Sequence, residues 1–198
     1  MSDNRSEEQN LPNLAEIMSR LQDKSLPPVH LWNPEFCGDI DMRLARDGTW
    51  FYMGTPIGRK RMVKLFSTVL RLDDDGKYYL VTPVEKIGIT VDDAPFVAVE
   101  ADIFDEGEGQ SIVFRTNVDD EVIAGPDHPI RVAIDPKTLE PSPYVMVRDG
   151  MEALIVRSVF YQLVDKGVEQ TVNGEKTLGL WSGGCFFTIG ATEEPPNA

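Results

Sequence analysis

From Ile87 to Arg148 the sequence is cut into short runs of β-branched and aromatic residues. This punctuation constrains the fold more than any other feature. The runs are "IGITV", "FVAVEADI", "QSIVFRT", "EVIA", "IRVAI" and "YVMVR". Between them stand "DDAP", "EGEG", "NVDD", "GPDHP" and "DPKTLEPSP". Runs this short suit strands, and the Gly, Pro and Asp clusters supply the reversals. The expectation is a sandwich or partly open barrel of antiparallel strands.

The first half reads as hairpin, short helix, hairpin. Ile40, Met42 and Leu44 alternate with Asp41 and Arg43, and "TWFYM" returns after "RDGT". The Asp-Gly pair predicts a type I′ turn. Thr55 and Pro56 predict a helix start, a hydroxyl cap followed by proline at the first helical position. In that helix Met62, Leu65 and Phe66 are expected to face the core, with Lys60, Arg61 and Lys64 opposite. It ends near Ser67, and "TVLRL", "DDDG" and "KYYLV" form the second hairpin.

Outside this region, "NLAEIMSRLQD" predicts a helix beginning at Asn13, with Leu14, Ile17, Met18 and Leu21 on one face. "LPPVHLWNP" then reads as extended. "GMEALIVRSVFYQLVDKG" predicts a helix over 151–166, with Val156, Val159, Phe160 and Leu163 as its core face and Gly167 as its C-terminal cap. "TLGLWS" and "CFFTIG" make a last hairpin around Gly183 and Gly184. Ser2–Asn10 and "TEEPPNA" read as disordered tails. Two features hint at duplication. Arg-Asp-Gly or a near match recurs at Arg46, near Arg71 and at Arg148, and the two main helices share an apolar pattern.

An apolar fraction of 41% over 198 residues supports a real core. The formal net charge of −14 argues against whole-surface attraction to nucleic acid or anionic lipid. Cys37 and Cys185 form no C-x-x-C pair, so neither a disulfide framework nor a thiolate metal site is expected. No apolar run reaches membrane-spanning length and the N-terminus is polar, so a soluble cytoplasmic protein is expected.

Against that acidic background, Gly48 to Leu72 holds no Asp or Glu and five cations: Arg59, Lys60, Arg61, Lys64 and Arg71. Cations in a first helical turn face the positive end of the helix dipole, an unfavourable placement of about 0.3–1 kcal/mol each. Lys60 and Lys64 also repel each other one turn apart. A counter-charge is therefore expected. The chain's own Asp39, Asp41 or Asp73 to Asp75 would provide a structural one. A bound anion, held by Gly58 and Arg59 backbone N–H groups with Arg59, Arg61 and Lys64, would provide a functional one. A solvated face is the third reading. Arg43 and Arg46 stand nearby in sequence, and Tyr52 or Trp50 could stack on a base, although Trp50 suits a core position better.

Other motifs point less clearly. "DDDGKYY" lacks the alternating acids of a calcium loop and reads as a hairpin turn. Asp39 and Asp41 share a strand face and are expected to pair with Arg43 or the basic helix. His30 and His128 have no nucleophile nearby in sequence, and there is no G-x-S-x-G, P-loop or G-x-G-x-x-G.

Three long runs carry a family likeness: "CGDIDMRLARDGTWFYMGTPIGRKRMVKLFSTVLR", "YYLVTPVEKIGITVDDAPFVA" and "VRDGMEALIVRSVFYQLV". They resemble the bacterial family known as domain of unknown function 1285, over nearly the whole chain apart from its two tails. The resemblance implies a cytoplasmic α+β protein of two domains with a duplicated motif and a C-terminal half similar to pleckstrin-homology-like folds. It also implies a nucleotide-like ligand between the domains and a signalling role, with no established activity.

The expected architecture is α+β and mostly antiparallel, in two packed domains. Residues 1–12 and 192–198 are tails, 13–83 form the N-terminal domain and 84–191 the C-terminal one. The expected function is a non-enzymatic ligand sensor or adaptor. A small anionic, nucleotide-like molecule would bind at the domain junction through Gly58, Arg59, Arg61 and Lys64, with help from Arg43 and Arg46 and stacking by Tyr52 or Trp50. No catalytic residue, metal or cofactor is assigned. The alternatives are a protein–protein module without a small ligand and a hydrolase whose site is assembled only in the fold.

Overall fold

The computed structural model of the chain describes residues 26–191. The helix expected from Asn13 and both expected tails lie outside the described residues. The architecture is α+β, predominantly antiparallel, in two halves.

The N-terminal half contains β1 (Phe36–Leu44), β2 (Trp50–Tyr52), β3 (Thr55–Pro56), α1 (Lys60–Thr68), β4 (Leu70–Leu72), β5 (Tyr78–Val81) and β6 (Lys86–Val91). Its sheet runs β3-β2-β1-β6-β5-β4, with β1 and β6 parallel at the centre. The C-terminal half contains β7 (Phe96–Phe104), β8 (Ser111–Thr116), β9 (Glu121–Ile123), β10 (Ile130–Ile134), β11 (Pro141–Arg148) and β12 (Met151–Ile155). This sheet runs β10-β11-β12-β7-β8-β9, with β12 and β7 parallel. Then come α2 (Arg157–Asp165) and a three-stranded sheet of β13 (Val168–Val172), β14 (Glu175–Ser182) and β15 (Cys185–Ala191).

The two large sheets share one topology. Ranked within its half, each runs third, second, first, sixth, fifth, fourth, and the first and sixth strands pair in parallel. Duplication is therefore present in the strand order. The signals that hinted at it are not equivalent: α1 joins the third and fourth strands, whereas α2 follows the sixth.

Several local expectations change. The boundary expected near Pro83 falls in the β5–β6 turn, where Thr82 N donates to Glu85 O at 2.9 Å. "IGITV" is β6, the partner of β1, so the change of sheet comes between Val91 and Phe96. Met151–Ile155 is a strand, not the start of a helix, because Met151, Ala153 and Ile155 are buried in alternation. Thr55 and Pro56 form an edge strand opposite Tyr52 and Phe51, where proline's missing N–H leaves no ladder bond unmade.

The Asp-Gly turns divide by loop length. At Arg46–Gly48, Gly48 N donates to Ala45 O at 2.9 Å and only Gly48 has positive φ, +84°. That is a type I turn closed by a glycine bulge, not the expected type I′. Asp73–Lys77 repeats the pattern, with Gly76 at +75°. The type I′ geometry occurs at Asp149-Gly150, where both φ are positive and Arg148 faces Met151.

Helix α1 is rotated from the expected orientation. Val63 and Phe66 pack on the core and Ser67 is buried, while Met62 and Leu65 are exposed. The apolar residues of α1 spread over a broad arc, so periodicity alone leaves the rotation open. Contact of Phe66 with Trp50, 5.7 Å between ring centroids, and the direct run into buried Leu70 settle it.

One contiguous core joins Leu44, Trp50 and Leu70 of the first half to Phe96, Phe114, Val147 and Met151 of the second, with Leu163 and Leu180 beyond. A helix beside packed sheets is compatible with the expected pleckstrin-homology-like likeness. Arg148 spans the junction. Its guanidinium donates to Asp120 at 2.6 Å and to Ser67 O, in the last turn of α1, at 2.7 Å, and stacks on Phe96 at 4.6 Å. A cation on carbonyls at a helix C-terminus is favourably placed.

Candidate functional site

The start of α1 and the β8–β9 turn face each other across the junction and enclose a cleft of about 270 Å³. From the N-terminal half come Gly48, Ile57 and Gly58, with Lys60, Arg61, Val63 and Lys64 on α1. From the other half come Asn117, Val118 and Asp119. The cleft therefore has three cations, one carboxylate, one amide and an apolar lining of Ile57, Val63 and Val118.

The far wall is held firmly. Asn117 N donates to Val97 O at 2.8 Å, and Val97 N donates to Asn117 Oδ1 at 3.1 Å. Thr116 N donates to Asp120 O, and Asp119 N donates to Thr116 O. This is the same turn plan as Arg46–Gly48, with Asp119 at φ +60° where glycine is the usual residue. Gly48 meets Asn117 closely: a Cβ at Gly48 would stand 2.5 Å from Asn117 Nδ2. A bare Cα is what lets the two turns touch.

Helix α1 begins with Arg59 as its N-cap residue, without a side-chain cap and without an acid in its first turn. Lys64 Nζ lies 3.4 Å from Asp119 Oδ2, both groups being exposed. Among the described residues, no carboxylate is within ion-pair distance of Arg59, Lys60 or Arg61. The acids offered as counter-charges are elsewhere. Asp73 is gripped by Arg71 and Lys86, each at 2.5 Å. Burial pushes the Asp73 pKa up, and the hydrogen bonds from Arg71 and Lys86 more than reverse this, leaving it below the usual carboxylate value. Asp75 accepts from the Tyr79 hydroxyl at 2.7 Å, and this bond, with burial, pushes the Tyr79 phenol up to about 12.

The predicted site residues separate. Gly58, Arg61 and Lys64 line the cleft and Arg59 adjoins it. Arg43 is paired with Asp92 at 2.6 Å, not with Asp41, and lies over the Phe51 ring. Arg46 is bound to Asp93 at 2.8 Å and to Ser142, and lines a different pocket beside Arg157. Trp50 is in the core, which removes it as a stacking platform. Tyr52 is exposed and outside the cleft lining. Sequence reasoning missed the Asn117–Asp119 wall, because a hairpin turn in another sheet carries no signal of what it faces. The one available clue was Asp119, a non-glycine residue in a tight "NVDD" turn.

Among the described residues no group of three or more His, Cys, Asp or Glu is arranged to hold a metal. His128 Nδ1 is 3.0 Å from Met146 O, in a pocket without a Ser, Thr or Cys lining it. No described helix is long and apolar enough to cross a membrane.

Comparison with known proteins gives a consistent picture. A family model described as "Domain of unknown function (DUF1285), N-terminal domain" matches residues 27–94. Its companion, "Protein of unknown function (DUF1285), C-terminal domain", matches 95–189. No curated protein matches. A crystal structure of a DUF1285 family protein from Silicibacter pomeroyi is 52% identical, over 89% of this chain and 95% of that one, with a TM-score of 0.79. Another from Shewanella baltica is 25% identical, over 63% of this chain and 91% of that one, with a TM-score of 0.50.

Proposed function

The chain belongs to the DUF1285 family, whose description names no activity, and from the cleft we propose a non-enzymatic sensor or adaptor that binds a small anionic ligand between the two halves. One observation carries this reading: Lys60 and Arg61 line a cavity at the junction and form no ion pair among the described residues, while Asp119, the carboxylate of that cavity, pairs with Lys64. A phosphate-bearing group satisfies both cations, and Lys64 can exchange Asp119 for it. Nucleotide-like ligands fit through their phosphate end. The remainder of the molecule would rest on Ile57, Val63 and Val118 rather than stack on an aromatic ring. Because α1 and the β8–β9 turn belong to different sheets, occupancy would favour one relative orientation of the halves, which is the property a signalling protein needs. Free thiols at Cys37 and Cys185 suit a reducing, cytoplasmic setting.

A second reading has its own support. Met62 and Leu65 are exposed on α1, where a protein partner could cover them.

Thermal shift separates the two. Pyrophosphate or ADP at millimolar concentration should raise the melting temperature. The Lys60→Glu/Arg61→Glu double variant should melt like the parent without ligand and lose the rise. Absence of any rise in the parent overturns the ligand reading. A partner lost on Leu65→Glu, with no ligand response, supports the adaptor.

A further inference from the structure

The edge strands of the three sheets are not equally guarded. β3 holds two residues, one of them Pro56, and β4 and β9 hold three each. β10 and β15 pack against each other. β13 differs. It has five residues, exposed from Val168 to Thr171, with no proline, lysine or bulge. Shortness, proline, lysine and bulges are the usual guards against strand pairing.

The hairpin register fixes which backbone groups β13 offers. Asn173 and Gly174, both with positive φ, make a two-residue turn, so Val172 and Glu175 form a hydrogen-bonded pair. Gln170 and Val168 repeat that role against Thr177 and Gly179. The N–H and C=O groups of Glu169 and Thr171 therefore point away from β14. Among the described residues they make no hydrogen bond.

We propose that this edge pairs with β13 of a second copy, antiparallel about a two-fold axis at Gln170, joining the two three-stranded sheets into one. The run Val-Glu-Gln-Thr-Val is its own complement in this register. Glu169 meets the partner subunit's Thr171, a carboxylate opposite a hydroxyl that can donate to it. Val168 meets the partner subunit's Val172, and the outward N–H and C=O groups of both copies bond each other. Sliding to the next bonded register one way opposes Glu169 to its own counterpart, a like-charge pair. Sliding the other way opposes it to Asn173, whose φ of +55° is not that of a strand. The two-fold pairing uses the free edge of each copy, so assembly closes at a dimer.

The test uses the full chain. Light scattering should show a dimer that tightens as salt is raised, because each copy carries a net charge of −14. Thr171→Pro removes only an outward N–H, which an edge strand tolerates, and should leave a monomer with the parent's circular dichroism. Thr171→Glu should weaken dimerisation about tenfold by opposing Glu169, and adding Glu169→Lys should restore it. In a chain with Cys37→Ser and Cys185→Ser, Gln170→Cys should link two copies by a disulfide under oxidation. Val172→Cys, remote from the axis, should not. A parent that stays monomeric at every soluble concentration and salt overturns the proposal. A dimer indifferent to Thr171→Glu and Thr171→Pro, or one that Gln170→Cys does not link, places the interface elsewhere and overturns it equally.

Discussion

The two large sheets have one strand order and opposite uses of their helices. In the N-terminal half α1 sits between the third and fourth strands and buries only Ser67 fully. In the C-terminal half α2 follows the sixth strand and buries Val159, Phe160 and Leu163. The same sheet plan therefore supports one helix that completes a core and one that presents charge at a junction. The difference teaches that a shared strand order sets the sheet architecture without dictating where a helix packs.

The largest expected effect tests that contrast directly. Leu163, 0% exposed, should cost about 2–5 kcal/mol when changed to Ala, read by denaturant unfolding. Leu65, 61% exposed on α1, should change stability by less than about 0.5 kcal/mol on the same change. Similar costs at both positions would erase the distinction between the helices.

The junction comes next. Arg148→Ala removes the bonds to Asp120 and Ser67 O and should cost about 1.5–3 kcal/mol. Arg148→Lys should recover only part, because an ammonium lacks the planar fork that reaches both partners. Gly48→Ala should cost about 1–2 kcal/mol, from the strain at φ +84° and the approach to Asn117. If Gly48→Ala is neutral, the two halves do not meet as described.

Titration gives the smallest effects and compares equivalent strands. Tyr79 on β5 and Tyr144 on β11 are both on fifth strands, and each donates to an aspartate. Burial and then the Asp93 bond raise the Tyr144 pKa, while the Asp75 bond is the leading cause at Tyr79. A raised phenol pKa favours the neutral form in the folded state. Its stabilising contribution is whole below the unfolded value of 10.0 and is lost as pH climbs to about 12 at Tyr79. Ultraviolet titration should show late ionisation of Tyr79 that Asp75→Asn brings back toward 10.0. Asp73 behaves oppositely. Its lowered pKa adds stability above the unfolded value of 3.8, which is lost as pH falls below it.

Strand content was legible because β-branched runs and turn residues act locally. "IGITV" was recognised as a strand, yet its partner β1 lies far back in sequence, and nothing local announces a parallel pairing. The Asp-Gly turns show the same limit. One dipeptide makes a bulged three-residue loop after Ala45 and a two-residue loop after Arg148, because strand register selects the length. At the cleft, the charge cluster on α1 was visible as an anomaly of composition. Asn117 and Asp119 were invisible, since only the packing of one sheet on the other brings them to Arg61 and Lys64. Arg43 and Arg46 were near in sequence but are satisfied by Asp92 and Asp93, the acids of the connection between sheets.

Amide chemical-shift mapping during a pyrophosphate titration tests the central claim most directly. Gly58, Lys60, Arg61, Val118 and Asp119 should move together and saturate, while Arg157 and Tyr161 beside Arg46 stay still. Arg61→Glu should abolish the movement. No saturable shift at the cleft, or shifts spread equally over every surface arginine, would contradict the proposal that α1 binds an anion.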